Sequence, residues 1–440
     1  MLTEFQRHIN LKFPFLKDSK LLIAISGGID SVALIHLLHH LNFDISLAHC
    51  NFQLRGSESD LDEEFVKKLA TNLNIRCHTI SFDTNAISKE KKVSTQMAAR
   101  DLRYNWFDKL VNENNYKYVL TAHQKDDVLE TFLINFTRGT GLDGLTGIPE
   151  INNNIVRPLL VFTRNDIENF AKENNISWRE DKSNASTKYL RNKIRHDVIP
   201  VLKEINPGLM DSFDNTLNHL KGSQNIIKDA VDTLKKEATI FENDILKINI
   251  EKIKYFDNPK AYLFELLKEY GFSEWNDVVT LLVAQSGKQV FSKSYRLIKD
   301  RKYLLLTEID DEDSTQSYTI HNLNKDFTSN DFTLKFKLDG GFDQQSSSKK
   351  LVSLDFDQLS FPLTIRKWQH GDFFYPTGMK GKKKLSDFFN DEKMSILEKE
   401  KAWILTTSKN EIIWVIEKRL DKRFQISSAT DKTVTISFMK

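Results

Sequence analysis

The chain has 440 residues, 40% of them hydrophobic and 28% charged, with 16 Gly and 8 Pro; this composition excludes collagenous and disordered chains and suggests about three domains of roughly 150 residues. Sixty-three Lys plus Arg against 61 Asp plus Glu leave +2 overall, so any nucleic-acid surface must be local. Cys50 and Cys77 are the only cysteines and form no Cys-x-x-Cys pair, which argues against a disulfide framework, a structural zinc site and a dithiol redox centre. The polar N-terminus and the short apolar run Leu21 to Ile25 fit neither a signal nor a membrane span. A cytoplasmic protein without membrane contact is expected.

From Lys20 to about Pro200, short β-rich runs alternate with helical stretches: LLIAI, then VALIHLLHHL; DISLAHCNF, then a charged helix; YKYVLTAH, then DDVLETFLINF. That alternation predicts βαβ units on a parallel sheet, an α/β fold. After Pro207-Gly208 the spacing of apolar residues predicts one long amphipathic helix and two more near AYLFELLKEY and WNDVVTLLVAQ. Linker-like tracts follow at Asp310 to Ser317 and at DGGFDQQSSSKK from Asp339. The last region alternates apolar and polar residues in LTIRKW, AWILTT, EIIWVIEKRL and TVTISFM, which predicts a small, mostly antiparallel β domain. Boundaries are expected at 1–210, 211–310 and 318–440. Residues 361–440 hold 16 Lys plus Arg and 10 Asp plus Glu, so this stretch is +6 and the remainder −4.

The strongest chemical signal is Ser26-Gly27-Gly28-Ile29-Asp30-Ser31, between an apolar strand and a helix expected to begin near Val32. Such a turn brings backbone N–H groups and a positive helix end to one point, ready for phosphate. Two glycines permit close approach of an anion, and Ser26 and Ser31 add hydroxyls. Asp30 is repelled by phosphate unless a divalent cation, Mg²⁺, bridges the two. The bland alternative is that Ser and Asp only cap the helix. A second signal is Thr121-Ala122-His123-Gln124-Lys125-Asp126-Asp127-Val128-Leu129-Glu130. At about 100° per residue, His123, Asp126, Asp127 and Glu130 share one side of the predicted helix, opposite Val128, Leu129, Phe132, Leu133 and Phe136. Helix-dipole compensation accounts for one such acid. Three repel each other unless a cation sits among them, and a lysine ammonium would serve.

The first motif resembles the PP-loop ATP pyrophosphatase superfamily, whose members use Ser-Gly-Gly-x-Asp-Ser to hold the pyrophosphate part of ATP. Three further groups of residues narrow the resemblance to the tRNA(Ile)-lysidine synthetase family: the loop His49 to Asp60; Arg157, Trp178 to Asn184 and Tyr189 to His196; and Arg366 to Asp372, Pro376 to Leu385 and IIWVIEKRL from Ile412. The resemblance covers roughly 20–208 and 361–425. Gln124 stands where the family often has His, and Glu417-Lys418 where a Gly is common.

The resemblance implies an adenine nucleotide alpha hydrolase-like catalytic domain, a helical middle domain and a basic C-terminal domain. It implies a ligase that joins L-lysine to the wobble cytidine of the CAU-anticodon tRNA(Ile), with ATP as co-substrate and Mg²⁺, acting as a monomer or homodimer. Ser26 to Ser31 and Arg100 are then expected at ATP, Asp30 at the metal, and Asp30, Asp127 and Glu130 in catalysis. Asp127, Glu130 and Arg195 are expected at lysine, and Arg191, Arg366, Lys380, Lys382, Lys383 and Lys384 at tRNA. The roles of Arg100, Arg191 and Arg195 are not divided further. Two rivals stand beside this reading: a PP-loop tRNA thiolase, for which two isolated cysteines make a poor case, and a non-catalytic RNA-binding protein.

Overall fold

A computed structural model describes residues 1–180, 190–309, 316–340 and 348–440. The linker expected from Asp310 lies largely outside these residues, as does most of the tract from Asp339. The chain divides into two compact units, Met1–Lys228 and Asp229–Lys440.

The first unit holds the expected parallel sheet. Its strands are β1 (Leu21–Ala24), β2 (Ile45–Asn51), β3 (Arg76–Ser81), β4 (Tyr118–Leu120), β5 (Ile151–Asn152) and β6 (Ile155–Val156), in the order β3-β2-β1-β4-β6-β5. Only the β5–β6 pairing is antiparallel. Its helices are α1 (Leu2–Lys12), α2 (Ile29–His40), α3 (Ser57–Asn72), α4 (Thr84–Lys91), α5 (Thr95–Asn114), α6 (Lys125–Arg138), α7 (Leu142–Leu145), α8 (Arg164–Glu173), α9 (Leu190–Lys193) and α10 (Ile199–Ile205), and α11 (Leu209–Ala238) begins in this unit. Leu21, Leu22 and Ile23 of β1 are fully buried, as a central strand covered on both faces must be. Helix α2 buries Val32, Ala33, Leu34, Ile35, Leu37 and Leu38, which leaves it little polar surface. Strand β1 pairs with β2 on one side and β4 on the other, so the order reverses there, and a crevice opens beyond the carboxyl ends of the strands.

The expected long helix is α11, whose last residues fall in the second unit, and the next two are α13 (Pro259–Leu267), after the short α12 (Ile250–Lys254), and α14 (Trp275–Thr280). They pack with an antiparallel sheet that the sequence reading did not anticipate, β7 (Thr239–Glu242), β8 (Ile245–Asn249), β9 (Gln289–Phe291), β10 (Tyr295–Asp300) and β11 (Tyr303–Glu308), ordered β7-β8-β11-β10-β9. The region beyond residue 316 is mostly β, as its alternation predicts. One sheet contains β12 (Ser317–Ile320), β16 (Leu363–Lys367), β19 (Trp403–Thr406), β20 (Ile412–Val415) and β21 (Arg419–Leu420); the other contains β13 (Phe327–Thr328), β14 (Thr333–Gly340), β15 (Leu351–Asp355) and β22 (Lys432–Met439). Ile365, Leu405 and Trp414 from the first sheet and Leu334, Leu354 and Ile436 from the second share one core. A hairpin of β17 (Phe373–Phe374) and β18 (Lys383–Lys384) leads into α15 (Leu385–Asp391), followed by α16 (Ile396–Glu400). Among the described residues no helix is long and apolar enough to cross a membrane.

Candidate active site

The loop after β1 enters α2 three residues earlier than the sequence suggests, at Ile29, with Gly28 as its N-cap. Gly27 has φ +90°, a conformation that favours glycine. Ser31 Oγ donates to the Gly28 carbonyl at 2.9 Å and lies 3.3 Å from Ser26 Oγ, so the two hydroxyls brace the turn from within. Asp30 opens α2 and meets the Arg164 guanidinium through Oδ2 at 3.0 Å. Its other oxygen, Oδ1, is buried with no partner among the described residues. Burial pushes the Asp30 carboxyl up to about 6; Arg164 opposes that shift and the charge of Asp127 adds to it.

A cavity of about 750 Å³ opens at the carboxyl edge of the sheet, and Ser26, Asp30, His49, Arg103, His123 and Asp127 line it. His49 is fixed through Nδ1 to the Ile25 carbonyl at 3.0 Å, while its Nε2 is buried with no partner among the described residues. His123 lies 3.0 Å from Thr121 Oγ1 through Nδ1; burial first, then the charges of Arg157 and Arg191, push it down to about 3. A neutral imidazole therefore faces the cavity at neutral pH.

The acidic stripe needs correction. His123 precedes the helix, and Gln124 caps it, accepting from the Asp126 N–H at 2.8 Å, while Asp127 Oδ2 accepts from the Gln124 N–H at 3.0 Å. The three carboxylates do not share a single cation. Asp126 takes the Arg164 backbone N–H at 2.9 Å and Lys203 at 3.2 Å. Glu130, 1% exposed, takes Arg191 Nε at 2.6 Å and Arg195 Nε at 2.5 Å. Asp127 Oδ1 lies 2.8 Å from Arg191 and 3.4 Å from Arg195. Arg191 comes from α9 and Arg195 from the π-helical turn Ile194–Val198 that follows it, a distortion frequent at functional sites. Two guanidiniums thus stand where a free ammonium was expected.

Other expected residues fall differently. Arg100 is exposed and stacks over Tyr104 at 4.9 Å; Arg103, one turn on, is the α5 arginine that lines the cavity. Arg366, expected at tRNA, is 9% exposed and spends its guanidinium on Asp372, with two bonds of 2.8 Å, and on Asn410. It is an internal brace of the C-terminal region. In the basic loop Lys380, Lys382 and Lys384 are exposed, Lys382 over the Phe373 ring at 4.9 Å, whereas Lys383 is paired with Asp391. Within the expected stretch Trp178 to His196, Asp181 to Tyr189 lie outside the described residues. Sequence reasoning missed Arg164, and its one signal is Pro-Leu-Leu-Val-Phe-Thr-Arg, a capped helix start soon after a strand.

Comparison with known proteins places this site in a family. A PP-loop domain model matches residues 1–202, a TilS substrate binding domain model residues 241–309, and a TilS substrate C-terminal domain model residues 363–436. A tRNA(Ile)-lysidine synthase of Bacteroides thetaiotaomicron is 40% identical over 97% of this chain and 97% of its own length. Another, from Parabacteroides distasonis, is 37% identical over 96% of each. With three domain models matched along it and nearly the whole length covered by relatives of this identity, the chain belongs to the tRNA(Ile)-lysidine synthase family.

Proposed function

We propose that this chain joins L-lysine to the wobble cytidine of the CAU-anticodon tRNA(Ile), consuming ATP and releasing AMP and pyrophosphate, so that the tRNA reads AUA instead of AUG. Residues 1–210 carry the chemistry, and 211–310 and 318–440 hold the tRNA, in the cytoplasm. The observation that carries this reading is the convergence of the phosphate loop and the acid helix on one cavity, with Asp30 and Asp127 both in its wall.

The cytosine ring carbonyl oxygen attacks the α-phosphorus of ATP, and the bond to pyrophosphate breaks. The lysine ε-amine then adds to that ring carbon, AMP leaves with the oxygen, and the amine proton passes to a nearby base. Backbone N–H groups of Ser26 to Ser31 and the N-terminal end of α2 receive charge on the leaving pyrophosphate. His123 in the cavity wall, pushed down to about 3, stays neutral and is a poor proton acceptor. Incoming lysine displaces Arg191 from Asp127, whose carboxylate reaches the cavity, while Arg195 stays on the buried Glu130. The Nη2 end of Arg191 so released, with its Nε still on Glu130 at 2.6 Å, then takes the lysine carboxylate.

Mg²⁺ fits the residues present. Asp30 Oδ1 is a hard oxygen beside the phosphate loop with no partner among the described residues, and Mg²⁺ is typically held by one or two carboxylates plus substrate phosphates. The described residues contain no group of three or more His, Cys, Asp or Glu able to hold a metal alone. When bound, the ion neutralises pyrophosphate charge, and Asp30 would hold it.

The thiolase alternative is disfavoured by the thiols: Cys50 and Cys77 are the only two in the sequence, and burial pushes both up, against the thiolate that sulfur transfer uses. Mass spectrometry of tRNA after incubation with ATP and isotope-labelled lysine tests the proposal. Labelled lysidine is expected; added sulfur points to thiolation, and unmodified tRNA to a binding protein.

A further inference from the structure

We propose that Arg179 is a positioning residue that locks the phosphate loop in its anion-receiving form, an inference that rests on the ATP site read above. The Arg179 backbone N–H donates to the Gly27 carbonyl at 3.0 Å. In a trans peptide the carbonyl and the next N–H point to opposite sides, so holding the Gly27 oxygen toward Arg179 turns the Gly28 N–H the other way. That N–H lies 3.3 Å from Ser26 Oγ, and Ser26 lines the cavity. Glycine at 27 has wide backbone freedom, so an external hold on this peptide is needed.

Any residue could supply that backbone bond; the side chain makes the position specific. Arg179 Nη2 meets Glu58 at 2.7 Å and its Nε meets Asp62, both on the first turns of α3. Asp62 is 8% exposed and also takes Arg55 Nη2 at 2.7 Å. The same helix supports the loop from another direction, because a Cβ on Gly27 would lie 3.7 Å from Phe65 and 4.0 Å from Val66. The chain leading to Arg179 is anchored by the buried Ile176 and by Trp178, which packs on the same core. Arg179 therefore ties the loop and α3 together, and it does not line the cavity.

The test is calorimetric titration of the full chain with magnesium pyrophosphate and, separately, with AMP, alongside thermal unfolding. Arg179→Ala is expected to weaken pyrophosphate by about tenfold, the scale of one charge-assisted hydrogen bond, with AMP within about twofold. Arg179→Lys, which keeps the charge without the fork, recovers part of the loss. Equal losses for both ligands, or none, would overturn the proposal. If Arg179→Ala does not fold, Glu58→Gln removes one ion pair and carries the same test: a selective pyrophosphate loss supports the lock, and an unchanged or unselective one overturns it. A wild-type chain that binds no pyrophosphate would overturn the ATP-site reading itself, and the lock with it.

Discussion

Asp30 carries two opposite pH signatures. Burial raises its carboxyl from 3.8 to about 6, so the folded chain binds its proton more tightly than the unfolded chain does. As pH falls from 7 through about 6 toward 4, Asp30 should add stability while losing the charge proposed to meet Mg²⁺. The melting-temperature advantage of Asp30→Asn over wild type should therefore shrink across that window as the kcat/KM of wild type declines. A constant gap between the two proteins would mean that Asp30 titrates normally. The acid pair separates in the same way. Glu130 is buried and takes the Nε of both guanidiniums, and removing it leaves them only Asp127, so Glu130→Ala should cost up to about 3 kcal/mol of stability, the low end for breaking a buried pair. Asp127 is in the cavity wall, and Asp127→Ala should raise the lysine KM more than the ATP KM. The reverse ranking in steady-state kinetics would assign Asp127 to the nucleotide.

At the scale of elements, what was legible depended on period and burial. Strands β1 and β2 are buried almost throughout, so their apolar runs stand out, and the turn between β1 and α2 announces itself through paired glycines. The sheet from β7 to β11 was hidden because its β7 edge strand is largely exposed and its apolar residues follow a long helix that dominates the window. Candidate charges were legible as types but not as pairs. Arg164 reaches Asp30 across 134 residues of sequence, Arg179 reaches Glu58 across 121, and no local pattern carries such distances. The start of α6 shows how one local element serves the site. Gln124, 3% exposed, accepts from the Asp126 N–H, and its own N–H holds Asp127. Gln124→Ala should cost about 1 kcal/mol in lost capping. The backbone N–H that holds Asp127 survives the substitution, so the lysine KM should change little; a raised lysine KM would show that the side-chain cap also positions Asp127.

Across the whole molecule the charge is uneven, with +6 in residues 361–440 and −4 elsewhere. The excess gathers at the β17–β18 hairpin, whose loop carries Gly378 and Gly381, both at positive φ, among exposed lysines. Those lysines are not equivalent. Lys383 is held by Asp391, so its charge is already compensated, while Lys380 and Lys384 extend into solvent and Lys382 rests on Phe373. Phosphate contacts supply affinity without reading sequence, so this loop should bind tRNA without choosing the wobble base. Replacing Lys380, Lys382 and Lys384 by Ala should weaken tRNA binding and flatten its salt dependence, by about 0.7 to 0.9 log units per lost phosphate contact. Lys383→Ala alone should change the slope little, and ATP and lysine parameters should hold in both variants. Measuring tRNA affinity across a salt series for wild type and both variants decides the matter: parallel slopes with equal affinity would make the loop ordinary solvated surface, and a larger effect from Lys383 would show that its pairing with Asp391 gives way to RNA.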